Sequence, residues 1–205
     1  MRVDPRGFAP LARLALAIAD PRALAVDAAL AAALAAGAEP PRIAEAILQG
    51  IPYSGFPGAV EALGLLHDHV RFTPLAPRPG VTEDPADPAG LPAAFRAVYR
   101  DGASAVRAAL RERHPDLERW ILGFAYGEVM GRGILSLAEL EGLAVGSLVG
   151  QRRRTPLHSH LRGALRTGWS AGDLGTLLGT LAPEADAATL AFARAVVARE
   201  TGGGG

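Results

Sequence analysis

SLAELEGLAVGSLVGQRRRTPLHSHLRGALRTG, residues 136–168, reads as two helices joined by an arginine-rich turn. Ser136 followed by Glu139 fits a capping box, which starts the first helix there. Leu137, Leu140, Ala144 and Leu148 then recur at helical spacing, and Gly150 closes the run. Thr155 as N-cap and Pro156 at the first helical position open the second helix, and Gly168 stops it. Leu157, Leu161 and Ala164 form its apolar face. Glu141 and His160 break the two stripes. A carboxylate and an imidazole turned inward from consecutive helices make either a buried structural pair or a catalytic one.

Composition limits what surrounds this pair. The chain has 205 residues, 49% hydrophobic and 20% charged, enough for one sizeable domain or two small ones and typical of a globular fold. Its 21 basic residues balance 21 acidic ones, so no nucleic-acid or acidic-membrane partner is expected. Cysteine is absent, which removes disulfides, thiolate nucleophiles and cysteine metal ligands. Lysine is absent too, so the chain cannot form a lysine Schiff base or hold pyridoxal phosphate covalently. Leu11–Ala19 is apolar but short and closed by Asp20-Pro21, and Asp4 spoils a basic leader. Ala23–Ala38, interrupted by Asp27, is mostly alanine and too weakly apolar for a membrane span. A cytoplasmic protein is expected.

From its start the chain reads as helix almost throughout. Helices are predicted at Phe8–Ala19, from Pro21 to Gly37 with Asp20 as cap, and after Pro40-Pro41 with Ile43, Ala46 and Ile47 on one side. YSGFPGA, residues 53–59, forms a sharp corner, and another helix runs from Gly58 to about Val70. Six prolines between 73 and 92 indicate a linker. Ala93–Arg100, Ser104–Arg113 and Pro115–Met130 are predicted helices before the opening pair. Ser170 with Asp173 caps the next, and Glu184–Arg199 is the last. No two-residue alternation is sustained, so the fold class is all-α.

The chain also echoes itself. Ala33–Gly37 and the capped helix after it match Ala164–Gly168 and its successor, in a register that lays Gly37 on Gly168. In the same register Glu141 falls on Pro10 and His160 on Ala29. The expected organisation is an N-terminal helical repeat at 1–72 with the YSGFPGA corner but no polar pair, a proline-rich linker at 73–92, a C-terminal repeat at 93–201 with Glu141 and His160, and a disordered glycine tail at 202–205.

Tyr126-Gly127-Glu128-Val129-Met130, Arg132, Leu135 and Glu141, then His160 with Arg162, Ala164, Leu165 and Gly168, resemble the carboxymuconolactone decarboxylase family, whose superfamily includes alkylhydroperoxidase D. Ile43-Ala44-Glu45-Ala46 leading to Tyr53–Ala59 resembles that family's C-terminal signature. The resemblance implies an alkylhydroperoxidase D-like helical bundle of two related repeats. Peroxidase-type members carry a CxxC pair between the Glu and the His; here the matching positions are Arg153 and Pro156, so thiol peroxidase chemistry is excluded. The decarboxylase branch, usually a single repeat, does not need the cysteines. This chain looks like a fused, diverged double repeat in which one half completes the other's pocket or has become structural.

Losing carbon dioxide beside a lactone or carbonyl leaves electron density that must be held and then protonated. The resemblance implies a cofactor-independent lyase acting on a small carboxylate or lactone. His160 is the candidate proton shuttle and Glu141 the group that orients it; Arg132, Tyr126 and Glu128 are candidate substrate contacts, and Arg152–Arg154 a steering patch. No cofactor or metal is expected. Each residue has a plainer reading: Glu141–His160 as a register-fixing pair, Arg132 as a helix C-terminal charge, Arg152–Arg154 as a solvated run, Glu139 as a cap, His158 as an exposed residue. His67 and His69, two apart on a helix, point to different sides and make a poor metal pair. The alternative function is a non-catalytic scaffold of the same fold that oligomerises or binds a partner. Alanine-rich faces and the family resemblance suggest a homo-oligomer, a trimer first.

Overall fold

The computed structural model describes residues 3–77 and 90–202. In order its helices are α1 (Pro5–Ala19), α2 (Val26–Ala35), α3 (Pro40–Gln49), α4 (Ile51–His69), α5 (Ala93–Tyr99), α6 (Ala103–Arg113), α7 (Pro115–Trp120), α8 (Leu137–Gly150), α9 (Arg154–Thr167), α10 (Ala171–Leu181) and α11 (Ala187–Glu200). No strand occurs among the described residues, so the fold is an all-α bundle. Residues 73–77 and 90–92 are neither helix nor strand; the rest of the expected linker, and the tail beyond 202, lie outside the described residues. No single described helix is long and apolar enough to cross a membrane.

Contacts divide the chain into two units, Met1–Leu75 with Ala138–Gly205, and Ala76–Leu137. The first unit therefore draws on both of the halves delimited from the sequence. Several of its helix ends are set by capping side chains or by glycines. Asp4 accepts from the backbone of Arg6 and Gly7, so α1 starts at Pro5 rather than at Phe8. Asp20 takes the Arg22 amide within a turn instead of capping a helix at Pro21, and α2 starts at Val26. Gly37 and Gly168 end α2 and α9 with φ of 83° and 128°, values glycine adopts at little cost. After each, the next amide reaches back into the helix just completed: Ala38 to the Ala33 carbonyl, Trp169 to that of Ala164. The YSGFPGA corner is a break at Gly55 (φ 77°, ψ 172°) inside α4. The capping box of Ser170 and Asp173 forms as expected.

Every residue of α8 from Ala138 to Gly150 is buried. Glycines at 142, 146 and 150 let it lie directly on α1. A Cβ at Gly146 would stand 2.4 Å from the Ala12 carbonyl oxygen, and one at Gly142 would meet the Phe8 and Trp169 rings at 2.6 and 2.8 Å. Those rings pack edge to face, 5.6 Å between centroids, and the Trp169 Nε1–H donates to the Ala138 carbonyl at 2.7 Å. The close crossing places the start of α8, with Glu141, deep in the unit.

The internal echo extends to whole helices. In the register that lays Gly37 on Gly168, α1 to α4 fall on 136–150, 157–166, 171–180 and 182–200; α8 to α11 are observed at 137–150, 154–167, 171–181 and 187–200.

The second unit contains α5 to α7, a π-helix at Ile121–Val129 and a 3₁₀ turn at Met130–Arg132. The helix expected over Pro115–Met130 is thus α-helical only to Trp120. Gly123 and Gly127 weaken the α preference of the rest, and π turns this long are rare. Glu118 is buried and accepts from Arg107 at 2.6 Å and Arg111 at 3.0 Å; the Arg107 hydrogen bond foremost holds its carboxyl below the ordinary range.

Gly146→Ala should lower stability by about 3 kcal/mol, because helix backbones must separate to admit the methyl. Gly175→Ala, on α10 with nothing within 4 Å, should be neutral or stabilising by up to about 1 kcal/mol. Chemical denaturation of the two variants checks both.

Candidate active site

Glu141 projects from α8 and is fully buried, with 0% of its surface exposed. One of its oxygens, Oε2, lies 3.0 Å from His160 Nδ1 on α9. A carboxylate at that depth requires a hydrogen-bonded partner, and His160 supplies it. The other oxygen, Oε1, has no partner among the described residues. The two residues that interrupt the apolar stripes are therefore brought together, with the Nδ1–H turned to the carboxylate and Nε2 turned away.

Nε2 faces Tyr53 from the corner of α4. Its hydroxyl is 3.5 Å away, long for a hydrogen bond, and the rings meet edge to face at 5.5 Å. Tyr53, noted in the sequence only as part of the corner, is thus the residue from the first half that reaches the pair. No periodicity announces it, because it sits in the short helical stretch before the break at Gly55. The Gln151 side-chain amide holds this stretch by donating to the Tyr53 carbonyl.

Tyr53 also lines a polar cleft of about 800 Å³ with Asp20, Arg22, Gln151, Arg152 and Arg153 among its walls. Arg152 has φ of 58°, in the left-handed region where glycine is usual after a helix, and its guanidinium lies 3.5 Å from Asp20. A non-glycine residue held there costs on the order of 1 kcal/mol, a strain often found at functional sites. Of the Arg152–Arg154 run, Arg152 and Arg153 line this cleft together with Tyr53, while Arg154 lies over the Phe192 ring.

Other expectations require adjustment. Glu139 is buried and ion-paired with Arg42 of α3, a role beyond capping. α9 begins at Arg154 with Arg153 as its cap, so Thr155 and Pro156 lie inside the first turn; Pro156 fits there because first-turn amides need no helical acceptor. His158 is half-buried, 3.5 Å from Glu200, which also takes Arg162 at 3.0 Å. His69 pairs with Asp27 at 2.7 Å while His67 stacks on Phe72, so the two imidazoles serve different partners.

Tyr126, Glu128 and Arg132 belong to the second unit. Tyr126 is buried against Phe95 and donates to the Tyr99 hydroxyl at 3.3 Å; Glu128 is exposed on the π-helix; Arg132 is partly exposed in the turn before Gly133. Within the first unit, Tyr53 is the residue seen against the outward nitrogen of His160.

With no cysteine in the chain, a thiol role beside this acid–imidazole pair is excluded. Residues 9–68, from α1 to the end of α4, match the model of the Carboxymuconolactone decarboxylase family, and that stretch is similar to it. The chain matches no curated protein. The matched stretch contains Tyr53 but neither Glu141 nor His160, which stand on the helices that correspond to it in the internal echo.

A double-mutant cycle measures the pair. His160→Ala alone should cost about 3 kcal/mol by leaving a buried carboxylate unpaired, and His160→Ala with Glu141→Leu should cost less than the sum of the two singles by about 2 kcal/mol. Additive losses in urea denaturation would show that the two do not interact.

Proposed function

We propose that this protein is a cofactor-independent lyase acting on a small carboxylate or lactone, with His160 as proton shuttle. The observation that carries the reading is the row from Glu141 through His160 to Tyr53, which ends at the arginine-lined cleft. Arg152 and Arg153 hold a substrate carboxylate by charge-assisted hydrogen bonds. When the carbon–carboxylate bond breaks, carbon dioxide leaves and its bonding electrons remain on the carbon next to the carbonyl. His160 Nε2 delivers a proton there, directly or through the Tyr53 hydroxyl, and water restores the proton to the imidazole. Glu141 fixes the tautomer through Nδ1 and stabilises the imidazolium. Tyr53 and His160 close together when substrate binds; catalytic hydrogen bonds are commonly long in the empty enzyme.

The corresponding helices α1 and α2 carry Pro10 and Ala29 instead of the pair, so the proposal assigns one reaction centre to two fused repeats. The substrate contacts proposed for Tyr126, Glu128 and Arg132 rest on the sequence resemblance alone, as does a homotrimer.

Thermal-shift measurements with malonate, succinate, maleate and γ-butyrolactone test the reading. At least one compound should raise the melting temperature of the wild type by about 2 °C or more, and His160→Gln, whose amide can still serve Glu141, should keep the binding shift but release no carbon dioxide from a turned-over substrate. Absence of any shift in the wild type would favour the non-catalytic scaffold.

A further inference from the structure

Gln49, at the C-terminal end of α3, is 2% exposed, and neither its Nε2 nor its Oε1 has a hydrogen-bond partner among the described residues. A buried primary amide offers two donors and an acceptor, and each left unused carries the desolvation penalty of that group. Such a group requires an explanation beyond packing, because leucine would fill a similar volume without that cost.

The helix correspondence relates Gln49 to the Glu141–His160 pair. In the register of the echo, Gln49 of α3 corresponds to Thr180 of α10. Thr180 lines a cavity of about 400 Å³ together with Pro10, Ala29, Ala9 and Ala32. Pro10 and Ala29 are the positions that correspond to Glu141 and His160. That cavity is thus walled by Pro10 and Ala29 of the first repeat and Thr180 of the second, and the corresponding positions are Glu141 and His160 of the second repeat and Gln49 of the first. All three of the latter are polar and buried, and the three that wall the cavity lack an ionisable or amide group. The ion pair of Arg42 on α3 with Glu139 on α8 holds the two helices side by side. The Ser54 hydroxyl, next to Tyr53, and Glu141 Oε1 are likewise buried without partners.

We infer that Gln49 is a substrate-anchoring residue of the Glu141–His160 site, its Nε2–H₂ donating to an oxygen of a small carboxylate or lactone seated against His160. This rests on the lyase reading for the identity of the ligand, and on the helix correspondence for its place. The amide supplies a neutral donor opposite the Glu141 carboxylate, which by itself would repel an anion.

Nitrogen-15 spectra of the His160 imidazole test the placement without any substrate. Gln49→Glu puts a second carboxylate in the cavity and should move both ring resonances toward those of the protonated imidazole at neutral pH, whereas Thr180→Glu should leave them in place. Resonances unmoved by Gln49→Glu overturn the placement. Gln49→Leu should leave the melting temperature of the free protein unchanged or higher, and should weaken binding of malonate, succinate or maleate about tenfold. A melting temperature several degrees lower assigns Gln49 a hydrogen bond within the fold and overturns the anchoring role, as does undiminished binding by Gln49→Leu or a wild type that none of the three compounds shifts. Failure of the lyase reading is separately visible: His160→Gln that still releases carbon dioxide defeats the proton shuttle, while the resonance test of Gln49 is unaffected.

Discussion

A carboxylate with none of its surface exposed dictates much of what surrounds it. Glu141 cannot remain at its depth in α8 without a donor, and the donor is the Nδ1 of His160 on the next helix. That one contact sets the register of α9 against α8 and fixes which nitrogen of the imidazole is turned outward. Its position depends in turn on the glycines that follow. Gly142 leaves space for the Phe8 and Trp169 rings, and Gly146 lets α8 lie on the Ala12 backbone. A helix so enclosed presents any polar side chain to the interior, so the acid and its partner are a consequence of depth as much as of chemistry.

The helix-for-helix correspondence of α1–α4 with α8–α11 gives the unit an internal control. Where α8 and α9 carry Glu141 and His160, α1 and α2 carry Pro10 and Ala29, and four alanines help to wall the cavity beside those two. The scaffold therefore holds together without the polar pair, which argues that the pair is not required for the bundle as such. Tyr53 completes the asymmetry: it enters from α4 of the matched family stretch to face His160, which lies outside that stretch. The position that corresponds to Tyr53 is Glu184, which pairs with Arg13 rather than with any imidazole.

What could be read in the sequence follows from how local its physical cause is. Glu141 and His160 were legible because each interrupts an apolar stripe of period 3.6, and the Ser170–Asp173 box because its bonds close within a single turn. The stop at Gly168 and the corner at Gly55 show through glycine's access to positive φ. Tyr53, Gln49 and the Arg42–Glu139 pair were hidden because their meaning comes from helices distant along the chain. The wholly buried α8 weakens the periodic signal that names a core face, and its glycines look like helix breakers until α1 is seen against them. The start of α2 and the π-helix at Ile121–Val129 depend on competing hydrogen bonds of similar energy, which composition does not rank.

The proposed proton shuttle requires a buried acid that presents one imidazole nitrogen to a space a small anion can enter past Tyr53. A crystal structure with succinate or maleate bound tests this most directly. A carboxylate oxygen within hydrogen-bond distance of His160 Nε2, with Tyr53 moved to admit it, is the result the account predicts. An anion seated elsewhere, touching neither His160 nor Tyr53, would contradict it and leave Glu141 and His160 as a structural pair.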